Sequence, residues 1–150
     1  MASADPIYPE QLDFLMASTH HHHALDELNE TQKRVHRILD AAQSPLSAYE
    51  VLDLMRAQGA VTPPTVYRSL DKLIEKGLAH RLESLNAYVT CKHPHHHEMA
   101  AFAICEACGS VKEFTDSMIG ERLAHWSDAN AFCPKKVTVE VRGLCDSCAK

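Results

Sequence analysis

The sequence predicts an α+β fold in two unlike halves, an N-terminal winged helix-turn-helix domain followed by a small α/β domain built around cysteine knuckles. Three observations carry this. Residues from about 27 to 77 hold three amphipathic helical stretches, and an alternating hairpin pattern follows them. From about residue 87 the chain turns to short strand signals around one helical stretch. Two C-x-x-C pairs, Cys105 with Cys108 and Cys145 with Cys148, lie in that second half.

The first helix is read from "LNETQKRVHRILDAAQ", where Leu28, Val35, Ile38 and Leu39 recur at helical spacing with polar residues between them. The second, in "PLSAYEVLDLMRAQG", opens on Ser47 and Glu50 at capping-box spacing and stops at Gly59. Asp53 and Arg56 stand i and i+3 on it and are expected to pair within the helix. The third is "VTPPTVYRSLDKLIEKG", with Thr62 as N-cap, Pro63 at the first helical position and Gly77 as the left-handed C-terminal cap. On it Val66, Leu70, Leu73 and Ile74 fall within an arc of about 100° and must face inward. The opposite face carries Thr65, Arg68, Lys72 and Lys76, with Tyr67 at its boundary. Taken alone, that is an ordinary solvated helix face. "LAHRLESLNAYVTC" then adds two short alternating runs around a Ser84–Asn86 turn, and three helices plus a hairpin is the winged-helix order. The last helix of that fold enters the major groove of DNA, so Tyr67, Arg68 and Lys72 would meet it there.

In the second half "EMAAFAIC", "SVKEF" and "KVTVEVRGLC" read as strands and "DSMIGERLAHW" as a helix. Val137, Val139 and Val141 alternate with Thr138, Glu140 and Arg142, which predicts one buried and one solvent face. So short a segment makes a small core, and it needs a metal, a partner subunit or both.

Hydrophobic residues make up 45% of the 150 and charged residues 23%, the balance of a soluble folded protein. No apolar run approaches the roughly 18–20 residues of a membrane span. The start, "MASADPIYPEQLDFLMAS", lacks a basic region followed by an apolar core, so a secretory signal is not expected and the cytoplasm is. In that reducing compartment six cysteines point to metal binding or redox chemistry rather than disulfides. A net charge of −5 provides no global basic footprint, which leaves any contact with nucleic acid to a local cationic face.

Each C-x-x-C pair is a knuckle that offers two thiolates, and two knuckles make a tetrahedral zinc site with Zn–S bonds of about 2.3 Å. Four thiolates leave no open coordination position, so such a site is structural rather than catalytic. A thioredoxin-like redox motif is the rival, but neither pair sits in a βαβ context. Cys133, in "FCPKK", has no comparable partner and reads as incidental. His20–His23 read as a solvated tract with weak affinity for zinc. The stretch "CKHPHHHEMAAFAICEACG" is different, because Cys91, His93, His95, His96, His97 and Glu98 are joined by His80 on the wing and Glu113 beyond the first knuckle. A site drawing on His80, Cys91, one of His93–His97 and Glu113 would mix N, S and O donors, favour zinc and straddle the two halves.

"PLSAYEVLDLMRAQGAVTPPTVYRSLDKLIEKGLAHRLESLNAYVTC", followed by "ICEACGSVKEF" and "GLCDSC", resembles the ferric uptake regulator family, most closely its zinc uptake branch. The resemblance runs from about residue 28 to the C-terminus. It implies a winged helix that binds double-stranded DNA and an α/β domain that forms a homodimer. It further implies metal-loaded dimers that repress from AT-rich palindromic operators upstream of uptake operons. By position Cys105, Cys108, Cys145 and Cys148 match the structural zinc ligands, and His80, Cys91 and Glu113 match the regulatory zinc site. Tyr67 and Arg68 match the residues that touch bases and phosphates. The fourth regulatory ligand falls between His97 and Glu98 by its spacing to Cys105; His97 is the choice, with His95 and His93 behind it. The sequence departs from iron-type members in having "MAAFAIC" before the first knuckle and Asn130 where many place a late histidine. Both departures speak against iron or peroxide sensing and against a third metal site.

The expected organisation is an N-terminal extension over 1–26, a winged-helix domain over 27–90, a histidine-rich hinge over 91–98 and a dimerisation domain over 99–150. The expected function is zinc-responsive repression of zinc uptake genes, with two zinc ions per subunit. Thr65, Tyr67, Arg68 and Lys72 are the expected DNA contacts. Neither a membrane nor a small-molecule substrate is expected as a partner. A regulator of the same family sensing iron, manganese or peroxide is the alternative, and a zinc-storage protein or metallochaperone is another. A zinc hydrolase with Glu98 or Glu113 as base is disfavoured, since H-E-x-x-H is absent.

Overall fold

The computed structural model describes residues 24–92 and 99–150. Helix α1 (Glu30–Ala41) starts at Asn29, whose side chain accepts from the Gln32 N–H while the Gln32 side chain accepts from the Asn29 N–H. This reciprocal box satisfies two donors that would otherwise be orphaned at the helix start. Helix α2 (Ala48–Arg56) has the expected box between Ser47 and Glu50. Its exposed Asp53 and Arg56 lie 4.0 Å apart within the helix, as their spacing predicts.

Helix α3 (Pro63–Glu75) differs from expectation at its start. Thr62 occupies the N-cap position without a side-chain capping bond, and its hydroxyl instead lies 2.9 Å from that of Thr65. Pro63 and Pro64 have no N–H to cap, and the Thr65 N–H already bonds the Thr62 carbonyl at 3.0 Å. At the other end Gly77 adopts φ 68°, as a left-handed cap requires. Leu78 N–H then donates to Leu73 O and Gly77 N–H to Ile74 O, the paired bonds of a Schellman ending.

These three helices bury one apolar cluster. Val35, Val51, Met55, Val66, Leu70 and Leu73 are fully buried in it, and Ile74 packs against it. Each such side chain contributes roughly 1.5–3 kcal/mol by leaving water. Ala24 and Leu25, at the end of the expected N-terminal extension, also pack on this cluster. Strands β1 (Ala79–Leu82) and β2 (Ala87–Thr90) pair antiparallel around a turn in which Asn86 has φ 47°. A bridge between Leu46 and Tyr88 ties this hairpin back to the start of α2.

In the second half β3 (Met99–Cys105) lies at the centre of a three-stranded sheet. β4 (Val111–Phe114) pairs with it antiparallel; β5 (Val137–Gly143) returns after helix α4 (Ser117–Ala129) and pairs with it parallel. Asp116 caps α4 through the N–H groups of Met118 and Ile119. The core here is small, as its length predicts: Ala100, Phe102 and Ile104, completed by Leu82 from the wing.

The alternation expected on β5 does not appear. Val137 and Val139 are half-buried like Thr138 and Glu140, and Val141 is 52% exposed. β5 is an edge strand whose far end no described element covers, while Glu140 is drawn inward to the wing. Met118, Trp126, Phe132 and Leu144 are exposed in the same half, so a single chain leaves much of its apolar surface in water.

Candidate metal centres and nucleic-acid helix

Parallel pairing of β5 with β3 sets Cys105 opposite Gly143, and so brings the second knuckle to the first. The Sγ atoms of Cys105, Cys108, Cys145 and Cys148 all lie within 4.8 Å of one another. Cys108 Sγ and Cys145 Sγ are 3.8 Å apart. A tetrahedron with metal–sulfur bonds of about 2.3 Å has edges of about 3.8 Å, so the donors fit zinc in kind, number and spacing. Backbone N–H groups of Cys108 and Cys145 point at the Cys105 sulfur and hold its thiol down to about 6. The neighbouring thiols push Cys148 up to about 12, since a fourth negative sulfur beside the others is costly. A bound dication offsets that repulsion, and loading this site at neutral pH must release protons.

The second constellation joins the wing, the hinge and the sheet. His80 Nε2 on β1 lies 3.6 Å from Glu113 Oε1 on β4, and Cys91 Sγ lies 3.9 Å from the same oxygen. All three donor atoms fall within 4.8 Å of one another. His80 Nε2 is buried and makes no hydrogen bond, as a nitrogen reserved for a metal would be. The other Glu113 oxygen accepts from the Lys92 N–H at 2.9 Å. His97, with its rivals His93, His95, His96 and Glu98, lies outside the described residues, as does His20–His23. Cys133 is exposed and stands outside both groups.

Burial holds the His80 imidazole below its ordinary range; Glu113 opposes this and Lys136 adds to it. The ring is therefore neutral at pH 7, with a lone pair free for a metal. Between the ordinary value near 6.5 and the lower folded one, the unfolded chain binds more protons, so stability falls as pH falls through that window. The urea midpoint should drop between about pH 7.5 and about pH 5.5, and His80→Ala should shrink the drop. An equal drop in both proteins would rule out His80 as a cause.

On α3, Tyr67 and Arg68 are exposed on the face opposite the core, with Thr65 half-buried beside them. Lys72 Nζ is 2.9 Å from both Glu75 oxygens, and Lys76 pairs with Glu27. The cationic character of this face therefore rests first on Arg68.

A sequence profile of the ferric uptake regulator family matches residues 27–142. The chain belongs to the ferric uptake regulator family. Within it the chain falls in the zinc uptake branch. It is 36% identical over 118 residues to the zinc uptake regulation protein of Escherichia coli (strain K12), covering 76% of this chain and 68% of that one. The crystal structure of holo XcZur aligns with a TM-score of 0.79 at 38% identity, over 89% of this chain and 98% of that one. A zinc uptake regulator complexed with zinc and DNA aligns with a TM-score of 0.80 at 30% identity, over 91% and 94% respectively. Three further residues of this family member touch the second site or the wing without any signal in the sequence. Lys92 reaches both Glu113 and Asp40, Phe102 lays its ring against His80 with centroids 5.2 Å apart, and Glu140 accepts from the wing turn. Alternation on β5 marked Glu140 as solvent-facing, and nothing local contradicts that.

Proposed function

We propose that the chain is a zinc-responsive transcriptional repressor that binds operator DNA as a zinc-loaded homodimer in the cytoplasm and controls zinc uptake genes. One observation carries this: His80, Cys91 and Glu113, from three separate elements, converge on one point between wing, hinge and sheet. Cys105, Cys108, Cys145 and Cys148 hold a structural zinc, and His80, Cys91, Glu113 and His97 hold a regulatory one, two per subunit. A thiolate among imidazole and carboxylate donors favours zinc over iron or manganese. Residues 27–90 form the DNA-binding domain, 91–98 the hinge and 99–150 the dimerisation domain. The exposed apolar residues Met118, Trp126, Phe132 and Leu144 supply surface for the second subunit.

Bound zinc supplies a cross-link whose strength depends on wing and sheet being close. It favours that arrangement only by its differential affinity for it. With the wings so held in a dimer, the two α3 helices reach successive half-sites of an AT-rich palindrome. Tyr67, Arg68 and Thr65 face the DNA; Lys72 joins them on exchanging Glu75 for a phosphate.

Native mass spectrometry tests the zinc count. Two ions per chain, falling to one under mild chelation with the dimer intact, is the expected result. A single ion at every zinc concentration would end the sensor reading. For DNA, Arg68→Ala should weaken zinc-dependent binding by about 1–3 kcal/mol if it reads a base. A loss that is uniform across sequences, with the salt slope reduced by about one, would make Arg68 a phosphate contact instead.

A further inference from the structure

The register of the second sheet sets three residues in one row. Phe102 on β3 lies opposite Glu113 on β4 and opposite Glu140 on β5. Partners directly across a sheet project from the same face. Each of the three meets the wing hairpin. Glu113 faces His80, Phe102 packs edge-on against the His80 ring, and Glu140 accepts from the wing turn. The last contact is two-pronged: one Glu140 oxygen takes the Glu83 N–H at 2.7 Å and the other takes the Ser84 N–H at 3.1 Å. Against the opposing effect of burial, the Ser84 side chain, these two N–H groups and the Arg142 charge hold the Glu140 carboxyl below the usual carboxylate range, so it accepts as an anion. Glu83 and Ser84 directly follow β1, the strand that carries His80.

We infer that Glu140 is a positioning residue for the second metal site: by gripping the wing turn it holds β1 at the distance where His80 meets Cys91 and Glu113. This rests on the proposed function, in which that constellation binds zinc. Glu140 is not itself one of the converging donors. Its effect is therefore on the population of chains in which the donors are already together, and apparent affinity scales with that population. The four-cysteine site, at the far end of β3 and β5, takes no part in the grip.

Glu140→Gln tests this, since the amide keeps the size of the side chain but offers one acceptor oxygen where the carboxylate offers two. Zinc alone is the probe, titrated against a competing chelator while amide exchange in residues 79–86 is followed by mass spectrometry. Two charge-assisted bonds at a half-exposed position are expected to be worth about threefold to tenfold in affinity. The variant should thus bind its second zinc about threefold to tenfold more weakly, hold its first zinc unchanged and exchange the Glu83 and Ser84 amides faster. Faster exchange with unchanged second-site affinity would overturn the inference, because the grip would then hold the wing without serving the site. Equal weakening at both sites would also overturn it, as a general loss of structure. A wild-type chain that takes one zinc only would sink the sensing function and this inference with it, an outcome visible before any variant is made.

Discussion

Serine in place of Cys105 or of Cys145 should leave the second half of the chain unfolded while the three-helix half stays folded. The reason is the disparity between the two cores. The winged-helix half buries twelve side chains larger than alanine in one cluster, among them Leu28, Val35, Ile38, Leu39 and Leu70. The second half has Ala100, Phe102 and Ile104, and must borrow Leu82 from the wing. Structural zinc contributes on the order of 10–16 kcal/mol of apparent binding energy in small domains, as much as a whole domain's net stability. Losing one of four thiolates forfeits most of that. Limited trypsin digestion read by mass spectrometry is the measurement: Arg122, Lys135 and Arg142 should become cleavable at once in the variants, and strong chelation of the wild type should reproduce the pattern. Protection equal to that of the wild type would mean that apolar packing alone sustains the sheet. With the fold lost, the apolar surface around Met118 and Trp126 disperses and the proposed dimer should dissociate too.

His80→Ala and Cys91→Ser should behave in the opposite way, keeping the fold and the proposed dimer while losing the response to zinc. Serine is close in size to the cysteine it replaces, and at 5% exposure Cys91 leaves little room for rearrangement. What disappears is a donor. With free zinc at about 100 times the dissociation constant of the closed form and negligible binding to the open one, the bias is about 2.7 kcal/mol per site, roughly 100-fold. That is the most DNA affinity each variant should forfeit per site, reached where the closed form is scarce without zinc. Anisotropy titrations over a buffered zinc series, on duplexes selected by the zinc-loaded wild type, would measure it. Binding that still tracked zinc in both variants would remove the His80 constellation from the sensing role. Circular dichroism and one retained zinc per chain separate this outcome from misfolding.

Much of the fold was legible because its causes are local. Helical periodicity in "VYRSLDKLIEKG" and the Gly77 ending depend only on residues a turn or two apart, and the structure follows them. The Asn29–Gln32 box is equally local, an asparagine three residues before a glutamine at the head of the helical run. Thr62 failed as a side-chain cap because two prolines after it remove the donors that a cap would serve. β5 failed because alternation predicts two faces, but not what covers each of them.

The two candidate centres divide along the same line. Each C-x-x-C pair is a local motif, so its donors and the metal they suit could be read directly from spacing. His80, Cys91 and Glu113 are far apart in the chain, and periodicity does not join them; their donor chemistry suggests a mixed site, and resemblance to known regulators matches them by position. The sequence by itself determined the elements, the inward faces of the helices, the two knuckles and the order of the halves, all of them consequences of contacts within a few residues. Only the tertiary structure decided which polar groups face one another across those halves. Strand register sets Glu113, Phe102 and Glu140 in one row beneath the wing, and register is chosen by pairing between distant segments, where a slip of one residue in any strand would turn that strand's member of the row away.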